Sequence, residues 1–339
     1  MNIFCTGISG IDKKGFWNNV KEYAEKKNKE VNTYSIGDLI FETANKVNFN
    51  LNQKNVLNTN EETLAVLRSN AFNFILSDYH TYENNIIQTH VTFFWDRVFK
   101  KAFDAKYLST LDVDLFITLI DNEVTLEETL SKTDQWSGIN KLSKEDILFW
   151  QNIEVLTTEY IAEIKAGMMA ESGAEVNEKK HYVFPKSQPV EDIYKLMFVP
   201  GTEIVYASYP MTNMDKAGRK KIDAFVEELR KYFIVLDPKS IELSKNYCVE
   251  SGAQTVERDT EWYINKISKV FVYFPDNVDS PGVNTEMAEA KHKNKDIYTI
   301  FPSDRVSPFI LHNSNYNVFK TKEEVFGRLK EKGYMPLEF

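Results

Sequence analysis

One glutamate stands at the point where a strand–loop–helix–strand unit would hold a ligand. Two apolar runs rich in β-branched and aromatic residues, Val270–Phe274 and Ile297–Phe301, predict strands, and a loop and a short helix separate them. Units of this kind bind ligands at the C-terminal ends of their strands. Glu286, in the sequence SPGVNTE, is predicted in the first turn of the helix, where the helix dipole stabilises an anion. Glu286 is therefore the first candidate for chemistry.

Glycines and a lysine after the first predicted strand indicate a phosphate-binding loop. In FCTGISGIDKKGFW, Gly7 and Gly10 are placed as in the GxxGxGK form of the loop, and Lys13 is its phosphate-binding lysine. Asp12 replaces the final glycine, and Lys14 replaces the hydroxyl residue that would bind Mg²⁺. Asp12 also adds a negative charge where a polyphosphate would lie. The loop is therefore predicted to be degenerate.

Both candidate sites lie within alternating strands and helices, which indicates parallel sheets covered by helices. In the first half the candidate strands are Asn2–Thr6, Asn85–His90, Leu115–Ile120 and His181–Phe184. The pattern restarts at Glu203–Pro210, just after the Pro- and Gly-containing segment FVPGT. We predict an α/β protein of two domains, each a parallel sheet flanked by helices. Residues 1–198 form a P-loop kinase-like domain, and residues 199–339 form a Rossmann-like domain.

Composition restricts the classes of partner. The chain has 339 residues and a net charge of −9, and no Lys/Arg stripe suits a nucleic acid polymer. The first residues do not read as a signal peptide, and no apolar run is long enough for a membrane span. The only two cysteines, Cys5 and Cys248, favour a reduced cytoplasmic compartment. The five histidines show no metal-ligand spacing, so neither a metal nor a cofactor is predicted.

The first half resembles the archaeal-type adenylate kinases. The resemblance covers roughly residues 1–198 and rests on YSIGDLIFETA, NNIIQTHVTFFW, DLFITLID, TDQWSGINKLSKEDILFWQ and HYVFPKSQPVEDIYKL in that order. It implies the kinase fold but not the activity. Gln88 stands where the family has an acidic residue near the metal, and only Arg68 and Arg97 precede residue 199. Because phosphoryl transfer depends on such charges, we expect a nucleotide sensor or a structural, oligomerising domain rather than an active kinase.

The second half resembles the nucleoside 2-deoxyribosyltransferase superfamily, most closely its deoxynucleoside 5′-monophosphate N-glycosidase branch. The motifs that carry the resemblance are IVYASYP, RDTEWYINKISKVFVYF and SPGVNTEMAEA. It implies that Glu286 is the nucleophile that attacks C1′ of the sugar and forms a covalent ester. It also implies that Asp259 holds or protonates the departing base. In the structural alternatives, Glu286 only complements the helix dipole and Asp259 only caps a helix.

Four further residues are candidates for substrate binding. The resemblance implies that Ser280 and Gly282 bind a 5′-phosphate and that Tyr206 lines the pocket and orients the nucleophile. Arg219, in AGRKK, is a candidate phosphate donor. Each also has a structural alternative: Ser280 and Gly282 as turn residues, Tyr206 as a core residue and Arg219 as a solvated helix charge.

The resemblance implies an enzyme that cleaves the bond between base and sugar of a nucleoside or nucleotide. Hydrolysis of a (deoxy)nucleoside 5′-monophosphate is the leading form, with transfer to a second base as its variant. Two alternatives remain open: an effector that cleaves NAD, and a non-catalytic regulator that binds a nucleotide. The expected partners are a small-molecule nucleoside or nucleotide and, by analogy with the superfamily, further copies of the chain.

Overall fold

The computed structural model describes residues 1–138, 141–171, 180–211, 214–241, 249–276 and 280–339. They divide into two compact units. The first unit is Met1–Ser187 with the described part of Leu243–Gln254, and the second is Gln188–Glu242 with Thr255–Phe339. Cys5 is a free, buried thiol, and Cys248 lies outside the described residues. Within the described ranges, no helix has both the length and the apolar character needed to cross a bilayer.

The first unit is built on a parallel five-stranded sheet and a two-stranded antiparallel hairpin. Its strands are β1 (Asn2–Thr6), β2 (Asn32–Ser35), β3 (Asn85–Gln88), β4 (Thr92–Trp95), β5 (Val98–Lys101), β6 (Leu115–Ile120) and β7 (Lys180–Pro185). Its helices are α1 (Lys13–Lys26), α2 (Ile36–Lys46), α3 (Glu61–Asp78), α4 (Ala105–Thr110), α5 (Glu123–Ser131) and α6 (Lys144–Glu171).

Strand β1 is central in the first sheet, whose order is β2-β3-β1-β6-β7. Its apolar residues Ile3, Phe4 and Cys5 are fully buried because both of its edges pair with neighbouring strands and helices cover the sheet. The chain continues from β1 to strands on one side and later crosses to the other side. The loop after β1 therefore lies at the topological switch point, where ligands bind in such sheets.

The second unit contains a second parallel five-stranded sheet. Its strands are β8 (Ile204–Ser208), β9 (Ile234–Leu236), β10 (Lys269–Tyr273), β11 (Asp296–Ile300) and β12 (Val318–Phe319). Its helices are α7 (Val190–Phe198), α8 (Lys216–Arg230), α10 (Pro281–His292), α11 (Pro308–Asn313) and α12 (Lys322–Glu331). Helix α9 (Val249–Glu257) belongs to the first unit up to Gln254, and a π-helical segment follows it at Arg258–Tyr263.

The order of the second sheet places its switch point between β8 and β10. Across the sheet the order is β9-β8-β10-β11-β12. From β8 the chain moves outward to β9, and it then returns to β10 on the other side of β8. The C-terminal ends of β8 and β10 therefore lie at the switch point, the place where ligands bind in such sheets.

These two sheets confirm the predicted α/β fold class. The seven strand segments named from the sequence are all present, each within two residues of its predicted bounds. The prediction missed β2, β12 and the β4–β5 hairpin. Strand β2 is short and polar, and β12 has only two residues. The hairpin turns at Asp96 and Arg97, both with positive φ, in place of the Asn-Gly pair that normally reveals such a turn.

A buried ion cluster ties helix α7 into the second unit. The Asp192 carboxylate is fully buried and pairs with Lys195, at 2.9 Å, and with Arg230 of α8. Lys195 Nζ also donates to the carbonyl oxygens of Arg230 and Phe233. The compact second unit begins at Gln188, earlier than the boundary between residues 198 and 199 that the sequence predicts. The boundary itself stays a prediction.

We predict that Asp192→Asn destabilises the second unit by about 3–5 kcal/mol, because Lys195 and Arg230 lose the anion that compensates them in the core. The matched control is Glu227→Gln. Glu227 contacts the same Arg230 at 3.6 Å but is exposed, so its loss should cost less than about 1 kcal/mol. Urea unfolding followed by circular dichroism measures both changes. Equal costs for the two variants would contradict the assignment of Asp192 as the centre of the cluster.

Candidate functional site

Glu286 lies in the second turn of α10, not in the first turn as predicted. Ser280 is the N-cap residue, and Pro281 is the first helical residue. A Ser-Pro pair is a strong helix start, because the serine oxygen accepts from a free backbone N–H and proline fits the first helical position. The prediction assigned these residues to the loop and so began the helix too late. Glu286 is the sixth residue of α10, beyond the turn in which the helix dipole acts strongly.

Two hydroxyl groups of β8 hold the Glu286 carboxylate. Tyr206 Oη donates to Oε1 at 3.1 Å, and Ser208 Oγ donates to Oε2 at 2.5 Å. Tyr206 and Ser208 are two residues apart on one strand, so their side chains project from the same face. Because α10 follows β10, and β10 pairs with β8, the carboxylate lies beside these hydroxyls at the switch point of the sheet.

A buried ion pair forms the other side of the cluster. Arg258 Nε lies 2.9 Å from Asp259 Oδ1, and Arg258 Nη2 lies 3.3 Å from Oδ2. Arg258 Nη1 donates to the carbonyl oxygen of Ile241 at 3.0 Å. The Arg258 guanidinium lies 5.9 Å from the ring centroid of Tyr263, which is 6.0 Å from that of Tyr206. The pair belongs to the π-helical segment, a local form that is frequent at functional sites.

Burial raises the pKa of both acidic side chains. Loss of water raises the pKa of Glu286 to about 8, and the negative charge of Asp259 adds to the shift. The hydroxyls of Ser208 and Tyr206 oppose it by bonding the charged form. Burial also raises the pKa of Asp259, but the bound Arg258 counteracts this directly. Near neutral pH the two carboxyl groups therefore share a proton, which resides on Glu286.

This electrostatic result reverses the expectation from the sequence. The helix dipole was expected to favour the Glu286 anion, but desolvation and the Asp259 charge dominate, so the neutral form is favoured. Tyr206 interacts with both carboxyl groups: it donates to Glu286, and its hydrogen bond lowers the pKa of Asp259. The Tyr206 hydroxyl therefore affects the protonation of both groups.

The remaining predicted residues lie outside this hydrogen-bonded cluster in the part of the chain that is described. Ser280 Oγ accepts from Val283 N at 3.5 Å as the cap of α10. Gly282 is exposed, and a side chain there would meet only Ser280 Oγ, at 4.0 Å. Arg219 is exposed on α8. Their roles as phosphate ligands stay predictions.

Sequence reasoning did not single out Ser208 and Arg258. Both were within reach of simple signals. Ser208 follows Tyr206 at the period of two that places strand residues on one face. Arg258 directly precedes Asp259 in the motif RDTEWY, so the sequence itself places a cation beside the predicted acid.

In the first unit, the loop after β1 has the backbone conformation of a phosphate-binding loop, but its lysine is hydrogen-bonded within the loop. Gly7 and Gly10 have positive φ, and a Cβ at Gly7 would lie 2.8 Å from the carbonyl oxygen of Leu119. Lys13 is nearly buried, and its Nζ donates to the Gly7 carbonyl at 2.7 Å. Burial lowers the pKa of Lys13 to about 8. The lysine that should meet a phosphate thus bonds its own loop.

The residues that depart from the loop pattern also have partners within the protein. Asp12 caps α1, with Oδ1 accepting from Gly15 N at 2.9 Å. This carboxylate occupies the helix N-terminus that would otherwise bind phosphate. Lys14 pairs with Asp38 at 3.1 Å, where the loop pattern requires a hydroxyl for the metal.

A cavity of about 880 Å³ lies beside this loop. Its walls include Lys13, Phe41, Arg68, Gln88 and Trp136. Arg68 is held by Glu61 at 3.1 Å, and the other arginine of the first 198 residues, Arg97, is held 2.5 Å from Asp146. Each arginine therefore has a carboxylate partner within the first unit. Within the described ranges, no cluster of three or more His, Cys, Asp or Glu residues is arranged to hold a metal ion.

Comparison with known proteins finds a family similarity for part of the chain. The family model of the AAA domain matches residues 6–147, so the first unit contains a P-loop kinase-like domain. No curated protein matches the chain. Among solved structures, the chain is similar to an uncharacterized protein from Eubacterium ventriosum at 14% identity, over 58% of this chain and 95% of that one. The TM-score of this comparison is 0.27.

We predict opposite shifts of the Glu286 pKa in two variants. Ser208→Ala removes a donor to the charged form and should raise the pKa by about one unit, whereas Asp259→Asn removes a negative neighbour and should lower it. Ser280→Ala, a cap variant outside the cluster, should leave the pKa unchanged. ¹³C NMR titration of labelled glutamate, assigned with Glu286→Gln, measures each value. Shifts in the same direction for Ser208→Ala and Asp259→Asn would contradict this electrostatic description.

A second prediction concerns the loop after β1. The double variant Asp12→Gly/Lys14→Ser frees the helix N-terminus and supplies a hydroxyl for Mg²⁺, so it should bind Mg·ATP at least about tenfold more tightly than wild type. Lys14→Ser alone retains the capping carboxylate and should gain much less. Isothermal titration calorimetry measures the three affinities. A wild type that binds as tightly as the double variant would show that Asp12 does not obstruct the loop.

Proposed function

We propose that the second unit cleaves the N-glycosidic bond of a nucleoside or nucleotide, with Glu286 as the nucleophile. The observation that carries the proposal is the Glu286 carboxylate, held by Tyr206 and Ser208 at the switch point between β8 and β10. A second carboxyl group, Asp259, is buried beside it and interacts with it electrostatically. Enzymes that cleave glycosidic bonds usually use two carboxyl groups that lie in different environments.

The proton on the pair of Glu286 and Asp259 can be delivered to the base when the C1′–N bond breaks. Glu286 attacks C1′ through one carboxylate oxygen, and the electron pair of the C1′–N bond passes to the base, which takes up the proton. That proton leaves Glu286 through the Tyr206 hydroxyl and reaches the base from Asp259. Water then attacks the glycosyl ester, Asp259 accepts one proton from it, and sugar and Glu286 carboxylate are released. The sum is substrate plus water giving free base and free sugar.

Arg258 and Ser208 act on this reaction indirectly. The Arg258 guanidinium fixes the orientation of Asp259 and keeps it the more acidic of the two groups. Ser208 holds Oε2 of Glu286, so the proton transfer uses Oε1 and its hydrogen-bond partner Tyr206. Both are positioning residues rather than groups that touch the reacting atoms.

A 5′-monophosphate is the leading substrate form. Ser280 and Gly282 lie at the N-terminus of the 12-residue helix α10, where backbone N–H groups favour an anion. The absence of a side chain at Gly282 leaves room for a phosphate to approach. A deoxynucleoside 5′-monophosphate would then have its phosphate at this end and C1′ near Glu286. NAD, whose nicotinamide–ribose bond is of the same kind, is the alternative substrate.

For the first unit we propose a regulatory or structural role without phosphoryl transfer. The capping Asp12, the internally bonded Lys13 and the occupied Arg68 and Arg97 support this, because each removes a charge that the transfer needs.

One observation favours a second candidate for the second unit, a regulator that binds a nucleotide without cleaving it. With a pKa of about 8, Glu286 is mostly protonated at neutral pH, and a protonated carboxyl group is a hydrogen-bond donor to a ligand rather than a nucleophile.

The direct test is chromatography of released base from nucleosides, ribo- and deoxyribonucleoside monophosphates and NAD. Wild type should release base from one of these classes, and Glu286→Gln should lower the rate by at least about 10³. The matched control is Glu289→Gln on the same helix, which should keep near-wild-type activity. Tight binding without release from any substrate would favour the regulator, and release that survives Glu286→Gln would exclude the nucleophile.

The pH profile tests the shared proton. The reaction needs one proton on the pair, so kcat/KM of wild type should fall as pH rises through about 8, where that proton is lost. In Asp259→Asn the residual activity needs only ionised Glu286 and should rise with pH to a plateau. A 7-methylguanine leaving group departs without a proton and should restore much of this variant's rate. A wild-type rate that rises through pH 8 would contradict the proton-sharing mechanism.

A further inference from the structure

The long helix α6 exposes a line of large apolar side chains that the first unit does not cover. The α6 stripe consists of Phe149, Ile153, Leu156, Tyr160, Ile164 and Met168. Ile153 is half-buried, and the other five are between 47% and 57% exposed. Their spacing of three or four residues places them on one side of the helix.

The opposite side of α6 packs into the unit. It buries the apolar Leu148, Trp150, Val155, Ile161 and Ala162 together with the polar Gln151, Glu154 and Thr158, whose hydrogen bonds lie within the unit. An amphipathic helix normally turns its polar side to solvent. In α6 the apolar stripe lies on the exposed side, so the stripe has the composition of a face that packs against another surface.

The stripe is large enough to form an interface. An aromatic or long aliphatic side chain that is about half exposed presents roughly 100 Å². Five such side chains present about 500 Å² of apolar surface, which is near the largest patch found on typical monomers. Two stripes in contact would bury about 1,000 Å², which is the size at which specific protein interfaces begin.

We propose that the α6 stripe pairs in antiparallel orientation with the α6 stripe of a second copy of this chain. The spacing of the stripe supports this occupant, because it is nearly symmetric about residues 158 and 159. An antiparallel copy places Phe149 opposite Met168, Ile153 opposite Ile164, and Leu156 opposite Tyr160. Every apolar side chain then meets another one, as a twofold, self-complementary interface requires.

The charges disfavour a membrane surface as the occupant. The exposed charged residues of the described part of α6, Glu145 and Glu163, are both acidic, whereas helices that lie on anionic lipid carry Lys and Arg. Two copies that each carry a net charge of −9 repel one another. Salt should therefore strengthen the pairing by screening this repulsion.

Sedimentation velocity over a range of protein concentrations tests the pairing in the full chain. Wild type should form dimers, and Leu156→Glu/Tyr160→Glu should raise the dimer Kd at least about tenfold, because it buries unpaired charges in the interface. The matched control is Val66→Glu, an equally exposed apolar position on α3 of the same unit, which should dimerise like wild type. Circular dichroism establishes that each variant is folded.

Disulfide trapping in a Cys248→Ser background tests the orientation without disturbing the apolar contact. An equimolar mixture of Leu156→Cys and Tyr160→Cys chains should give the mixed disulfide as the main dimer on mild oxidation. A monomeric wild type at all concentrations, a dimer unaffected by Leu156→Glu/Tyr160→Glu, or predominant 156–156 disulfides would overturn the proposal.

Discussion

The withdrawal of two carboxyl groups from water governs the chemistry of the second unit. Glu286 and Asp259 are brought together by a parallel sheet whose order reverses between β8 and β10. Desolvation raises the pKa of both, and only one has a guanidinium bound to it. The consequence is a proton that resides on Glu286, favoured there first by desolvation and then by the negative charge of Asp259. Tyr206 and Ser208 then fix the geometry of the group that carries the proton.

In the first unit, the charged groups near the loop after β1 are paired with groups of the protein itself. Its loop keeps the positive-φ glycines and the lysine of a phosphate site, but that lysine donates to a carbonyl oxygen of the loop itself. Asp12 supplies the anion that the helix N-terminus would otherwise bind, and Glu61 and Asp146 hold the arginines. Residues 6–147, which match the AAA domain family, therefore keep the backbone of a phosphate site, while side chains of the same unit pair with its charged groups. A cavity of about 880 Å³ remains beside it.

The sequence predicted the fold class and most central strands because these strands are short apolar runs bounded by turns, a local signal. It also named Glu286, Asp259 and Tyr206, which the structure brings together. It could not predict the sign of the Glu286 pKa shift, because desolvation depends on what covers the side chain and not on its neighbours along the chain. Ser208 was missed for a related reason, because its bond to Glu286 joins residues far apart in the sequence. Arg258 pairs with its neighbour Asp259, so the RD motif did give a local signal for it.

The central claim is that Glu286 forms a covalent bond to the sugar. Intact-protein mass spectrometry with a 2-deoxy-2-fluoro nucleotide tests it most directly, because the fluorine slows release of the glycosyl ester more than its formation. The account predicts a mass gain equal to the sugar phosphate without its base, and peptide mapping should locate it on Glu286. Release of base with no adduct, or an adduct on another residue, would contradict the account.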